Sequence, residues 1–220
     1  MPWYDDLGNA CSYKVNLRLN SIATPTVAEL NMLKGAQLVY GQYGICISFV
    51  SGQSLLLSKK QRGKLETVYG SCEFEKVTSD DQKLLHSLDD NYASSPFDIR
   101  VYFVSKIYDP DLKDLHGCAG YATGRPALDV ATSGTLWTLA HELGHVLLGK
   151  SFTPVHMDND RTNIMHAPTD EIIAAMPQLN TQQLAAIKTS VYCRRYEEKM
   201  TPVNWQTKQQ ERSNDFFQWK

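Results

Sequence analysis

The residue patterning predicts an α+β fold, and three observations carry that expectation. Residues 13–22 alternate, with Val15, Leu17 and Leu19 on one face and Asn16, Arg18 and Asn20 on the other, which is the period of a half-buried strand. Residues 99–104 (Ile-Arg-Val-Tyr-Phe-Val) are β-branched and aromatic, and predict a second strand. Residues 135–148 and 181–195 read as helices. The first has Ser133 or Thr135 as N-cap and Gly149 as its stop; the second carries Leu184, Ile187 and Val191 on one stripe.

The remaining elements fall between these. Thr24-Pro25-Thr26 opens a helix over 27–40, where Val27, Leu30, Leu33, Leu38 and Val39 recur at helical spacing before Gly41 and Gly44. Residues 45–50 predict a strand that Ser51-Gly52 breaks, with Leu55-Leu56-Leu57 resuming the pairing. Residues 58–80 are polar and predict nothing definite, and 80–88 suit a short helix. Asp109-Pro110-Asp111 is a turn. Gly117-Cys118-Ala119-Gly120-Tyr121-Ala122 reads as a short strand whose glycines mark an edge or a close backbone approach, ended by Gly124-Arg125-Pro126. Residues 128–131 suit one more strand.

The 220 residues are 42% hydrophobic, enough for the core of one large domain or one domain with two lobes. A net charge of −2, with no zinc-finger pair or stacking motif, argues against a nucleic-acid partner. No run of about 18 apolar residues is present, so no membrane span is expected. Residues 1–6 are acidic and lack the apolar centre of a signal peptide; localisation stays open, with secretion expected ahead of the cytoplasm. Cys11, Cys46, Cys72, Cys118 and Cys193 leave at least one thiol unpaired within the chain, and allow one or two disulfides. None shows Cys-x-x-Cys spacing, so a cysteine metal site is not expected.

The chemistry concentrates in His141-Glu142-Leu143-Gly144-His145. On a helix, residues i and i+4 share a face, so both imidazoles can reach one metal ion. Glu142 is rotated about 100° from His141 and can address a water at that metal without being a ligand. Apolar runs on both sides, Leu136-Trp137-Thr138-Leu139-Ala140 and Val146-Leu147-Leu148, predict a largely buried helix. Two imidazoles and a carboxylate there are costly unless something satisfies them. This is the layout of a zinc hydrolase with Zn2+ as cofactor, set against the plainer reading of a helix whose polar groups are satisfied otherwise. Catalytic zinc takes three protein ligands and keeps one position open. Candidates for the third are His156, Asp158, Asp160, His166 and Glu171. His156 is preferred, because it follows Gly149 closely in a polar loop that can fold back under the helix; its plain alternative is an exposed loop histidine.

These residues, with Gly149 and Asn163-Ile164-Met165, resemble the metzincin clan of zinc peptidases. That clan carries His-Glu-x-x-His-x-x-Gly-x-x-His followed by a methionine turn beneath the metal. The resemblance covers residues 13–195 and implies His141, His145 and His156 as metal ligands, Glu142 as general base and Met165 as an apolar floor. It implies a mixed twisted sheet with the active-site helix in an upper lobe (13–149), and a small helical lower lobe (150–196). These form one peptidase domain, 1–196, followed by a polar tail, 197–220, with scattered Trp205, Phe216, Phe217 and Trp219. It implies a zinc-dependent endopeptidase whose protein or peptide substrate pairs with the edge strand from Gly117 through Ala122. The spacing departs from the clan's: Leu148 and Ser151 stand where it has the glycine and third ligand, Gly149 is one residue late and His156 five. Ala167 stands where some members carry a tyrosine. His166 is left outside the ligand set.

Two other functions are compatible with the residues. One is a zinc hydrolase with Glu171, Asp158 or Asp160 as third ligand. The other is a non-catalytic peptide-binding domain, against which Glu142 argues, since a structural site needs no base. Cys118 with His116 could form a nucleophilic pair, but a small buried or edge thiol is the expected state. Asp80-Asp81 and Asp89-Asp90 read as solvated surface, with no EF-hand spacing. Oligomeric state does not follow from the sequence.

Overall fold

In the computed structural model of the chain, residues 3–4, 8, 10–70, 72, 78–89, 95–120 and 126–195 are described. Strands β1 (Trp3–Tyr4) and β2 (Ala10–Cys11) form a small antiparallel pair. Then come β3 (Tyr13–Ser21), α1 (Glu29–Gly41), β4 (Ile45–Ser54), α2 (Lys59–Lys64), β5 (Val68–Tyr69) and α3 (Asp80–His86). Next are β6 (Asp98–Val104), β7 (Ile107–Asp109), β8 (Lys113–Leu115), β9 (Gly117–Gly120) and β10 (Ala127–Ala131). The chain continues through α4 (Thr138–Leu148), α5 (Thr181–Thr189) and β11 (Arg194–Arg195).

The main sheet is mixed and metzincin-like. β3 lies between β4 and β6, both parallel to it, and β10 runs parallel to β6. β9 closes the edge antiparallel to β10, pairing Gly117 with Val130 and Gly120 with Ala127. β5, β7 and β8 form a separate small sheet. Along β6 the side chains alternate between two cores. Ile99, Val101 and Phe103 join the cluster containing Met32, Ala36 and Tyr40 of α1 and Leu139, Leu143 and Leu147 of α4. Tyr102 and Val104 join the opposite cluster, which includes Leu65, Val68 and Leu85. The sheet thus carries α1 and α4 on one face and α3 on the other.

Several expectations hold and some change. β4 runs straight through Ser51-Gly52 instead of stopping there. Leu17 pairs with Phe49 and Arg18 with Ser51, so a bulge at Val50 absorbs the irregularity. Leu55-Leu56-Leu57 is not a strand; Leu55 only donates its N–H to Ser21 at 2.8 Å. The unassigned stretch after residue 58 contains α2, started by a Ser58–Gln61 capping box, and β5. The turn at Asp109-Pro110-Asp111 joins β7 to β8. The last helix ends at Thr189 rather than near residue 195, because Ser190 is extended and the chain returns to pair β11 with the start of β3. Cys11–Cys46 and Cys72–Cys118 are disulfides and Cys193 is a buried free thiol, so Cys118 is not the free thiol expected. No helix among the described residues is long and apolar enough to cross a membrane. Tyr121-Ala122, the turn at Gly124-Arg125, Asp90 and the tail 197–220 lie outside the described residues.

α1 closely approaches the segment just before α4 at Gly35, where a Cβ would lie 2.7 Å from the Leu136 carbonyl oxygen. Gly35→Ala is expected to force the two apart and to cost about 1–3 kcal/mol. Urea denaturation checks this, and an unchanged midpoint would contradict the packing.

Candidate metal centre

α4 is apolar nearly all round. Every residue is buried except His145, which is half-buried. The helix starts at Thr138, three residues later than expected. Thr138 Oγ1 accepts from the Thr135 N–H at 2.8 Å, and Thr135 Oγ1 accepts from the Trp137 N–H at 3.3 Å. Gly149 ends it at φ 72°, a backbone conformation that favours glycine, with its N–H on the His145 carbonyl.

One turn of this helix separates His141 from His145, and their Nε2 atoms face each other at 3.1 Å. His156 Nε2 lies 3.2 Å from His145 Nε2. All three candidate ligand atoms lie within 4.8 Å of one another. Two nitrogens bound to one zinc at about 2.0–2.1 Å in a tetrahedron would sit about 3.3–3.4 Å apart. The observed spacing is therefore close to what a shared ion requires. Burial pushes His141 down to about 4 and holds His145 well below the usual histidine range, where the neighbouring rings add repulsion; burial lowers His156 too. The rings are thus neutral, the form that ligates metal. Protons on the Nε2 atoms can bridge these contacts in pairs, but three imidazole nitrogens converging on one point are the donor set that a cation satisfies together, so the site fits a bound Zn2+. Among the described residues, Asp158, Asp160, His166 and Glu171 are outside this cluster. Asp160 is engaged by Thr162, and Glu171 lies 3.8 Å from Arg161 and 3.7 Å from His166.

The methionine turn orients His141 directly and His156 through its neighbour. His141 Nδ1–H donates to the Ile164 carbonyl at 2.8 Å, which turns Nε2 toward the other rings. The Met165 carbonyl accepts from the Met157 N–H at 2.9 Å, and His166 Nδ1–H donates to the Met157 carbonyl at 3.1 Å. Two bonds thereby pin the residue next to His156. The turn itself is held by Asn163, whose Oδ1 accepts from the Met165 N–H at 2.9 Å and whose Nδ2 donates to Gln183 of α5 at 2.9 Å. Met165 packs against Gly144, where a Cβ would collide with Sδ. Tyr40 reaches the same spot, donating its hydroxyl to the Ala140 carbonyl at 2.9 Å.

Glu142 points toward the edge strand. A Cβ on Gly117 would lie 2.5 Å from Glu142 Oε1, so only glycine leaves room for this carboxylate. Burial, reinforced by the charge of Asp129, pushes Glu142 up to about 8. Asp129 is itself buried on β10, where it binds His86 Nε2 at 2.8 Å and accepts from Gln82 Nε2 at 3.1 Å. Sequence reasoning missed Asp129, Tyr40 and the match of Gly117 to Glu142. An aspartate in the apolar run Ala127-Leu128-Asp129-Val130-Ala131 was the available signal for the first. His116 pairs loosely with Ser133 (3.2 Å) and Asp170 (3.9 Å), and the Cys118 disulfide rules out its reading as a free thiol nucleophile. Asp80 and Asp81 lie in the first turn of α3, where Lys83 and Lys64 approach them.

A mixed sheet with β9 antiparallel at its edge, a histidine-bearing helix packed on one face and a methionine turn define a metzincin-like fold. Solved structures agree. The chain is similar to metalloproteinase-II from Bacteroides fragilis, with a TM-score of 0.55 and 12% identity over 85% of this chain; it spans 56% of the length of that chain. It is also similar to archaemetzincin from Methanopyrus kandleri, with a TM-score of 0.51 and 14% identity over 80% of this chain and 94% of that one. At such identities the likeness is one of fold. No protein-family model and no curated protein matches the sequence.

In the metal-free protein, unfolding lets His141 bind protons below its ordinary 6.5 that the folded ring refuses until about 4. Stability therefore falls as pH drops through that window, and His145 and His156 act in the same sense. Glu142 acts oppositely, holding its proton up to about 8 against an ordinary 4.5, but it is one group against three. Chelated protein is expected to melt at a lower temperature near pH 5 than near pH 6.5. Equal melting temperatures would contradict the lowered proton affinity that burial gives His141 and His145. Gly117→Ala is expected to leave metal content unchanged while displacing Glu142, which a crystal structure of the variant would show directly.

Proposed function

We propose that the chain is a zinc-dependent endopeptidase. The observation that carries this reading is the convergence of His141, His145 and His156 Nε2 beside a buried glutamate that lies against the first residue of an edge strand. The three histidines would hold zinc, which supplies Lewis acidity toward the scissile carbonyl and the attacking water. Glu142 takes the proton from that water and passes it to the leaving amine. Its raised pKa in the metal-free protein reflects burial, and a dication nearby favours the ionised, basic form. Met165 keeps water from beneath His141 and His145 by filling the space that Gly144 leaves.

An extended protein or peptide substrate pairs with β9. Among the described residues no strand pairs with the outer side of β9, and β-augmentation is the pairing proposed for it. Pairing there would pass the peptide over Gly117 and hence over Glu142. The peptidase domain spans 1–196, with the lobes meeting at Gly149. The two disulfides support an oxidising compartment, and hence secretion.

Glu142→Gln is expected to keep stoichiometric zinc while cleavage of an unfolded protein mixture falls about 10²–10⁴-fold. Full activity in this variant would overturn the mechanism. Metal analysis of His156→Ala and Glu171→Ala separates the ligand choices. Zinc loss is expected in the first alone, and loss confined to the second would replace His156 by Glu171.

A further inference from the structure

Away from the histidine cluster, the loop from β4 into α2 combines two features that no role in peptide hydrolysis explains. Leu56 is 98% exposed, and Leu55 and Leu57 on either side are half-buried. Leu55 and Leu57 pack against the core of Leu65, Val68 and Leu85, which leaves Leu56 projecting alone into solvent beside a cationic helix. The three leucines border a groove of about 390 Å³ lined by Ile22, Leu55, Leu56, Leu57, Arg62 and Ser105. Immediately after them, α2 presents Lys59, Lys60, Arg62 and Lys64, all exposed, with no acidic residue in the helix. The acidic groups that approach this face are Asp81, 3.6 Å from Lys64, and Glu66 at the groove margin. Lys59, Lys60 and Arg62 form no ion pair among the described residues.

This segment is held in place. The Leu55 N–H donates to the Ser21 carbonyl at 2.8 Å, and Ser58 and Gln61 cap α2 reciprocally at 2.9 and 3.3 Å. Little ordering entropy remains to be lost on contact with a partner. We propose that Leu55-Leu56-Leu57 and the cations of α2 form a docking face for an anionic lipid surface, with Leu56 entering the headgroup boundary and Lys59, Lys60 and Arg62 on the lipid phosphates and carboxylates. Charge complementarity selects this occupant. The chain as a whole carries −2, so the cationic helix is a local feature, set directly beside the apolar tip. A projecting leucine flanked by cations is the arrangement that interfacial binding uses. This contact needs no spanning helix and is independent of the peptidase reading.

The test is co-sedimentation of the full chain with vesicles of phosphatidylcholine alone and of phosphatidylcholine mixed with phosphatidylserine. Binding is expected only with the mixed vesicles and should weaken as salt rises. A cation close to an anionic surface is worth roughly fivefold in partitioning, so Lys59→Ala, Lys60→Ala and Arg62→Ala together should lower it roughly a hundredfold. Leu56→Ser should lower it roughly tenfold without changing the melting temperature, because the side chain is already in water. Leu56→Trp should strengthen it, since tryptophan favours the interface. Equal binding to both vesicle types, no binding to either, or undiminished binding by both loss variants would overturn the proposal. The last outcome would place any lipid contact elsewhere in the chain. None of these readings depends on zinc or on cleavage.

Discussion

The candidate site depends on the backbone of one turn, Asn163-Ile164-Met165. Its Ile164 carbonyl accepts a hydrogen bond from His141 Nδ1–H, and its Met165 carbonyl accepts one from the N–H of Met157, the neighbour of His156. These two acceptors, one residue apart, aim the first and third rings at the second. His145 needs no such help, since the pitch of α4 already places it over His141. The turn in turn depends on Asn163 and Gln183, which bond each other in both directions, at 2.9 and 3.2 Å. Gln183 also completes the capping box of α5 with Asn180. One buried amide pair therefore ties a helix start, the methionine turn and two histidines into a single arrangement.

Close packing sets the other constraint. Gly144 lets Met165 reach the helix, Gly117 leaves room for the Glu142 carboxylate, and Gly35 lets α1 approach the residues just before α4. Each is a place where a methyl group has no room. The result is a buried Glu142 and His141 and a half-buried His145, completed by His156 from an exposed loop, with the rings pushed toward neutrality and the carboxyl toward protonation. Such burial is costly for a metal-free chain and becomes favourable when a dication neutralises the site. The energetics of folding and the chemistry of the centre are thus linked through the same four side chains.

Much of this was legible in the sequence because it rests on period and spacing. The alternation of β3, the apolar run of β6 and the i, i+4 histidines survive almost unchanged into the structure. His156 was readable as a nearby histidine, but nothing local shows that residues 150–156 return to the helix; that is settled by the Met157–Met165 backbone bond. Other features were hidden for similar reasons. β4 continues past Gly52 because a bulge at Val50 and the pairing with β3 override the local break. The last helix stops at Thr189 because β3 has an open position for Arg194 and Arg195. The Cys72–Cys118 link joins β9 to the segment beyond β5, a proximity that no sequence spacing encodes. Gly117 looked like an edge-strand glycine, and only the packing shows which side chain it accommodates.

The central claim is that His141, His145 and His156 share one metal ion. X-ray absorption at the zinc edge, on the stoichiometrically loaded protein, counts imidazole ligands directly. The account predicts three imidazole nitrogens at about 2.0–2.1 Å together with oxygen from solvent. Two or fewer imidazoles with carboxylate oxygens in their place, or sulfur in the coordination sphere, would contradict it.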